Sequence, residues 1–230
     1  MRTYDLYLDS GPMLKKTMVQ VPALSGCVAR GDTTAAALDH TPDAIRAFMR
    51  FLARHGERIN PGAPFATRVA EHVTNSGFPG NGVGFIDPDR KPLSKPEIER
   101  LLACLGWIHE DIRRLTSPLS PRQLTAQPSK GRSIQRILSH ICTEGEYLRA
   151  VSGASRIQRE VDERRLDAND ALDRLLGLEA ARLHAMNAAE RGEVIMRGQS
   201  RWSARSAVRR MLEHGWEHYV EIAARLCVDP

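Results

Sequence analysis

Two histidines four residues apart, His214 and His218, lie in a long apolar-periodic stretch near the C-terminus. On a helix that spacing stacks them on one face, with both imidazoles able to reach a single ion. At about 100° per residue they flank the stripe drawn by Val208, Leu212 and Tyr219, some 80–120° from its centre. His140 takes the same kind of flank position in another helical stretch, with Glu144 one turn further on. Three neutral imidazoles hold a divalent ion and leave one position open for water or substrate, the arrangement of a catalytic site. The expected metal ligands are therefore His140, His214 and His218; no catalytic residue is assigned, and Glu144 is a candidate only, standing near the ion as a ligand-orienting carboxylate or a proton acceptor, or else on the surface.

Chance is the competing account, because the chain has eight histidines and pairs four apart arise on long helices. The matching His140 on a second helix lifts this pair above that background. His40, His55, His72, His109 and His184 are assigned to surface, caps or core edges. The pair also spells H-x-x-E-H, the inverted zinc-protease motif. That chemistry needs a third ligand on another element, whereas only twelve residues follow His218 and Glu221 shares its helix. Glu217 is thus read as a carboxylate near the ligands or on the surface. Cys142 is two residues from His140 and faces nearly the opposite way on a helix, so it is read as packing. The glycines around Gly80 lack a phosphate-loop lysine, and no G-x-S-x-G nucleophile elbow occurs. Trp107, Trp202 and Trp216 are read as core and interface anchors.

The elements that must position these residues fall into two halves. In the first, Tyr4, Leu6 and Leu8 alternate with polar residues, Thr17 to Val21 repeats an extended pattern, and Val28 and Ala29 fit a short third strand. From Asp32 or Thr33, Leu38, Ile45, Phe48, Met49 and Leu52 recur at helical spacing. Pro42 predicts a kink or break there, with Thr41 capping the second piece. Arg68 to Thr74 fits another strand. Residues 75 to 93, rich in Gly, Pro and Asn, are expected to link the two domains. Everything after them reads as helix. Ser94 and Glu97 form a capping-box spelling, and further helices are expected over about 132–151, 169–187 and 203–227. Four amphipathic helices in sequence predict a four-helix bundle over 94–230 behind an α+β domain over 1–74.

A composition of 42% hydrophobic and 27% charged residues suits a chain that buries a real core. The +5 charge raises nucleic acid as a partner, but basic residues are mostly interleaved with acids, the pattern of a solvated helix face. Only Arg201 to Arg210, with four arginines and no acid, is a local candidate for anion contact. Nucleic acid is not expected as a partner, and no apolar run is long enough to span a membrane. Four scattered cysteines and no apolar leader point to reduced thiols and a cytoplasmic address.

The helical half resembles the DinB-like family over essentially all of residues 94 to 227. The residues that carry this are Trp107-Ile108, Ile137-Leu138-Ser139-His140 and Met211-Leu212-Glu213-His214-Gly-Trp-Glu-His218. In that family one histidine of the second helix and an H-x-x-x-H pair of the fourth bind a divalent metal, commonly zinc or nickel. Members with known activities include metal-dependent transferases and isomerases that use low-molecular-weight thiols. The Gly215-Trp216-Glu217 spacer departs from the commoner histidine-rich spelling. The first half resembles the HicB-like antitoxin domain in Val19-Gln-Val-Pro22, Leu24-Ser-Gly-Cys27, Gly31-Asp-Thr-Thr34 and Asp43-Ala-Ile45. That implies a small α+β fold and a protein-binding role.

Together these readings predict a metal-dependent enzyme acting on a small molecule, with a thiol as the implied co-substrate. The alternative is a metal-containing binding or sensor protein whose first domain mediates oligomerisation or partner binding. A homodimer is expected, because small antiparallel sheets leave edge strands that need covering.

Overall fold

Tyr4, Leu6 and Leu8 are all buried, so the period of two turns one face of β1 (Arg2–Ser10) inward. The computed structural model describes residues 1–74, 84–143, 145–152 and 168–230. In the first half β2 (Lys15–Gln20) and β3 (Val28–Thr33) follow β1 in an antiparallel meander. β4 (Phe65–Thr74) returns parallel to β1 after the crossover helix α1 (Thr34–Arg54), giving the sheet order β3-β2-β1-β4. The strand expected from Arg68 thus begins three residues earlier, where Phe65 packs edge-on against Tyr4 at 5.5 Å.

The break expected at Pro42 does not occur, and α1 runs through it as one helix. Thr33 caps the start by accepting from the Ala36 amide, and Thr41 donates its hydroxyl to the Ala37 carbonyl instead of starting a second piece. Proline in a helix interior costs about 3 kcal/mol. Ile45, Phe48, Met49, Phe51 and Leu52 are buried on this helix, each contributing about 1.5–3 kcal/mol, so packing wins over the lost bond. Gly31 shows why a side chain is missing in β3. A Cβ there would lie 2.3 Å from the Ala37 amide nitrogen, so only glycine lets the strand approach the first turn of α1 this closely.

The helical half begins with α2 (Lys95–Thr116), whose start is the expected capping box: Ser94 Oγ accepts from the Glu97 amide while Glu97 accepts from the Ser94 amide. A short α3 (Pro121–Thr125) follows. The single helix expected over 132–151 is instead α4 (Ile134–Ile141) and α5 (Gly145–Ser152). The Thr143 amide and hydroxyl both donate to the His140 carbonyl, a tightened last turn that ends α4. Then come α6 (Ala168–Ala185), α7 (Ala188–Gly192), β5 (Val194–Arg197), β6 (Ser200–Ser203) and α8 (Ala204–Arg225). The hairpin corrects the all-helical expectation. Its two-residue loop opens with Gly198 at φ +60, but strands of four residues are too short to show a period.

α8 packs against α2, α4 and α5 and forms the axis of the bundle. Phe48 and Phe51 of α1 meet Trp216 of α8 at 4.9 and 5.1 Å, so sheet domain and bundle share one core. The described part of the stretch read as a linker, residues 84–93, is packed: Phe85, Ile86, Asp89 and Leu93 are buried. Arg209 holds it, donating to both Asp89 oxygens (3.0 and 2.7 Å), to the Gly84 carbonyl (3.0 Å) and to Glu213 (2.9 Å). The basic run Arg201 to Arg210 is therefore turned largely inward, with Arg205 likewise bound to the Lys91 and Pro92 carbonyls. No described helix is long and apolar enough to cross a membrane.

Candidate metal centre

Ser133 caps α4, and Ile134, Ile137, Leu138 and Ile141 bury its apolar face. That leaves His140 on the flank in the last turn, half-buried and turned toward α8. On α8 burial runs unbroken from Val208 to Trp216, so His214 is only 5% exposed, while His218 one turn on is half-buried.

The structure brings all three predicted ligands together. One nitrogen from each of His140, His214 and His218 falls within 4.8 Å of the others. The three rings meet edge to face, with centroids 4.7–5.0 Å apart. His140 Nε2 and His214 Nε2 are 3.3 Å apart. Two nitrogens each about 2.0–2.1 Å from one tetrahedral ion would stand roughly 3.3 Å apart, so the pair has the spacing such an ion requires.

Electrostatics favour the same use. Burial is the largest cause of a downward pKa shift on each ring, to about 2 for His214 and about 4 for His218, and downward also for His140. On His218 the carboxylate of Glu221 pulls the other way without cancelling it. The rings are thereby kept neutral, the form that binds metal. His218 Nδ1 donates to Glu221 Oε2 at 3.0 Å, which leaves the Nε2 lone pair for an ion and fixes the ring's orientation. Arg225 in turn donates to Glu221 Oε1 at 2.9 Å. The donor set and its spacing fit a divalent metal.

The cluster opens onto a cavity of about 450 Å³. Its walls include Tyr147 of α5, Arg210, Trp216, Glu217 and Val220 of α8, and Val28 and Arg30 of β3. Arg30 donates to Glu217 Oε2 at 2.9 Å across the mouth. Burial pushes the Glu217 pKa up, with Arg30 opposing. Glu217 is thus a cavity residue held by the other half of the chain. Glu144 lies outside the described residues.

The remaining histidines are employed elsewhere. His55 stacks on Trp107 (centroids 5.2 Å) and lies 3.4 Å from Asp111, His72 meets the Ser10 hydroxyl at 2.8 Å, and His40 meets the Arg30 carbonyl at 2.8 Å. His184 pairs with Glu99 at 2.8 Å, and His109 is a core residue. No disulfide joins the four cysteines, all of them among the described residues, and Cys142 is buried as its spacing implied. Sequence reasoning weighed Glu221 only as a third metal ligand and missed its bond to His218, although its i+3 relation to that residue was a usable signal. Nothing local marked Arg30 or Tyr147.

No protein-family model matches the chain. Over 42 residues of its N-terminal part it is 45% identical to UPF0150 protein Ta0767 of Thermoplasma acidophilum. The matched stretch is 18% of this chain and 61% of that relative, so the chain spans about three fifths of the relative's length. Among solved structures it is similar to YfiT from Bacillus subtilis, described as a probable metal-dependent hydrolase with an unusual four-helix bundle topology. That likeness has 12% identity and a TM-score of 0.45, and covers 64% of this chain and 96% of YfiT.

Proposed function

We propose that the protein is a divalent-metal-dependent enzyme, with Zn²⁺ or Ni²⁺ held by His140, His214 and His218, acting on a small molecule in the adjoining cavity. The observation that carries this reading is the convergence of three neutral imidazoles on one wall of that cavity. A bound ion supplies Lewis acidity and stabilises the anion of a thiol or water at neutral pH, which suits transfer or isomerisation with a low-molecular-weight thiol. The chain's own part is to hold the ion and exclude competitors. Glu221 orients His218, the surrounding core keeps the His214 ring uncharged, and Trp216 and Val220 give the cavity apolar surface.

Elemental analysis and a turnover screen with several thiols and electrophiles test this on metal-loaded protein. Alanine at His140, His214 or His218 should each lower bound metal and abolish turnover, whereas His184→Ala, on an exposed ion pair, should change neither. Full metal content in the His140 variant would exclude a three-histidine site.

A second reading, a metal-containing sensor or binding protein, is favoured by one observation: Val28 and Arg30 of the sheet domain line the same cavity. It predicts metal uptake without turnover on any thiol tried, together with a change in partner binding when metal is removed.

A further inference from the structure

The cavity walls are of two kinds. Val28, Val220, Trp216 and Tyr147 offer apolar surface, while Arg132 and Arg210 bring positive charge. Arg210 is 3% exposed; its Nη1 is taken by Glu213 (2.7 Å) and the Met18 sulfur (3.7 Å), and its Nε is buried without a hydrogen-bond partner. That Nε is sealed from the cavity, so a ligand meets this side chain through the rest of its guanidinium, which lines the cavity. Arg132 is exposed, and no described carboxylate pairs with it. Both arginines line the cavity together with the three histidines.

The described carboxylates near the cavity are already engaged. Glu213 is shared by Arg209 and Arg210, Glu217 is held by Arg30, and Glu221 serves His218 and Arg225. None of them is left to balance Arg132, or a divalent ion carried on three neutral rings.

We infer that the cavity selects a small organic anion, a carboxylate on an apolar body, with Arg210 and Arg132 as its anchors. The inference rests on the metal-dependent reading above for the chemistry that follows binding, though the arginines act with or without the ion. An uncharged amide of the same shape offers these guanidinium groups only a neutral carbonyl, so the discrimination comes from the charge on the accepting group and the local field.

Calorimetric titration of the full chain with benzoate and with benzamide, each with and without Co²⁺, tests it, with the cobalt spectrum as a second readout. Benzoate should bind at least about tenfold tighter than benzamide in both forms, as expected of one charge-assisted contact. Arg132→Gln and Arg210→Lys should each reduce that advantage severalfold while leaving cobalt uptake unchanged. Arg132 is exposed, so its variant keeps the test valid should Arg210→Lys fold poorly. Equal affinity for the two probes, or an undiminished benzoate advantage in Arg132→Gln, overturns the inference. A chain that takes no cobalt yet prefers benzoate keeps the inference and loses the metal reading. One that takes cobalt and binds both probes alike does the reverse.

Discussion

Glu221 reaches His218 from three residues along the same helix, and Arg225 braces it from the next turn. Carboxylates that orient a metal-binding ring are worth about 10–100-fold in metal affinity. Glu221→Gln should therefore weaken zinc by roughly that factor in competition with a chromogenic chelator, while the circular dichroism spectrum stays as it is. An unchanged affinity would make Glu221 and Arg225 a surface pair only. His109 poses a different problem at the same scale. It is 1% exposed, and burial, partly offset by Asp173, depresses its pKa from 6.5 to about 4. Below pH 6.5 the unfolded chain takes up a proton that the folded chain refuses, so stability falls as pH drops from about 6.5 to about 4 and is flat below. The loss is on the order of 3 kcal/mol. Urea midpoints between pH 7.5 and 4.5 should fall more steeply for the wild type than for His109→Gln, and equal slopes would place that ring in water.

At the scale of elements, α8 does two tasks with adjacent turns. One turn carries His214 and His218, and the turn before it carries Arg209 and Arg210. Burial opposes the Arg209 charge more than anything else does, yet Asp89 and Glu213 together hold it firmly ionised. Arg209→Met would leave those two carboxylates, 0% and 1% exposed, without their shared cation. Breaking a buried pair from one side costs about 3–5 kcal/mol, against about 0–1 for a surface pair. Chemical denaturation should show a loss in the upper range, and a loss below about 1 kcal/mol would mean that water already reaches this cluster.

On the scale of the whole molecule, the sheet domain and the bundle are bound by an aromatic contact of α1 with Trp216 and by charged ties across it. Arg54 bonds both Asp111 and the Tyr219 hydroxyl at 3.0 Å, and Arg30 bonds Glu217. A core that crosses between the halves predicts joint unfolding. Tryptophan fluorescence reports the helical half and its contact with the sheet half, because Trp107, Trp202 and Trp216 lie in the former and Trp216 packs on Phe48 and Phe51, whereas far-ultraviolet circular dichroism reports the backbone of both halves. The two urea transitions should coincide, and a separate early phase in circular dichroism would show that the sheet domain stands by itself.

What the sequence determined was local. The capping box at Ser94, the apolar faces of β1 and α1, and the flank positions of His140, His214 and His218 depend on neighbours within about four residues, where periodicity is legible. Tertiary packing decided the rest. It kept α1 whole through Pro42, because buried side chains outweighed one missing bond, and it ended α4 just after His140 where a longer helix was expected. It also set the 3.3 Å approach of His140 to His214 across 74 residues and the Arg30–Glu217 tie across 187. Separations of that size leave no periodic trace in a single chain, because such pairs meet only when the faces that carry them are buried against each other.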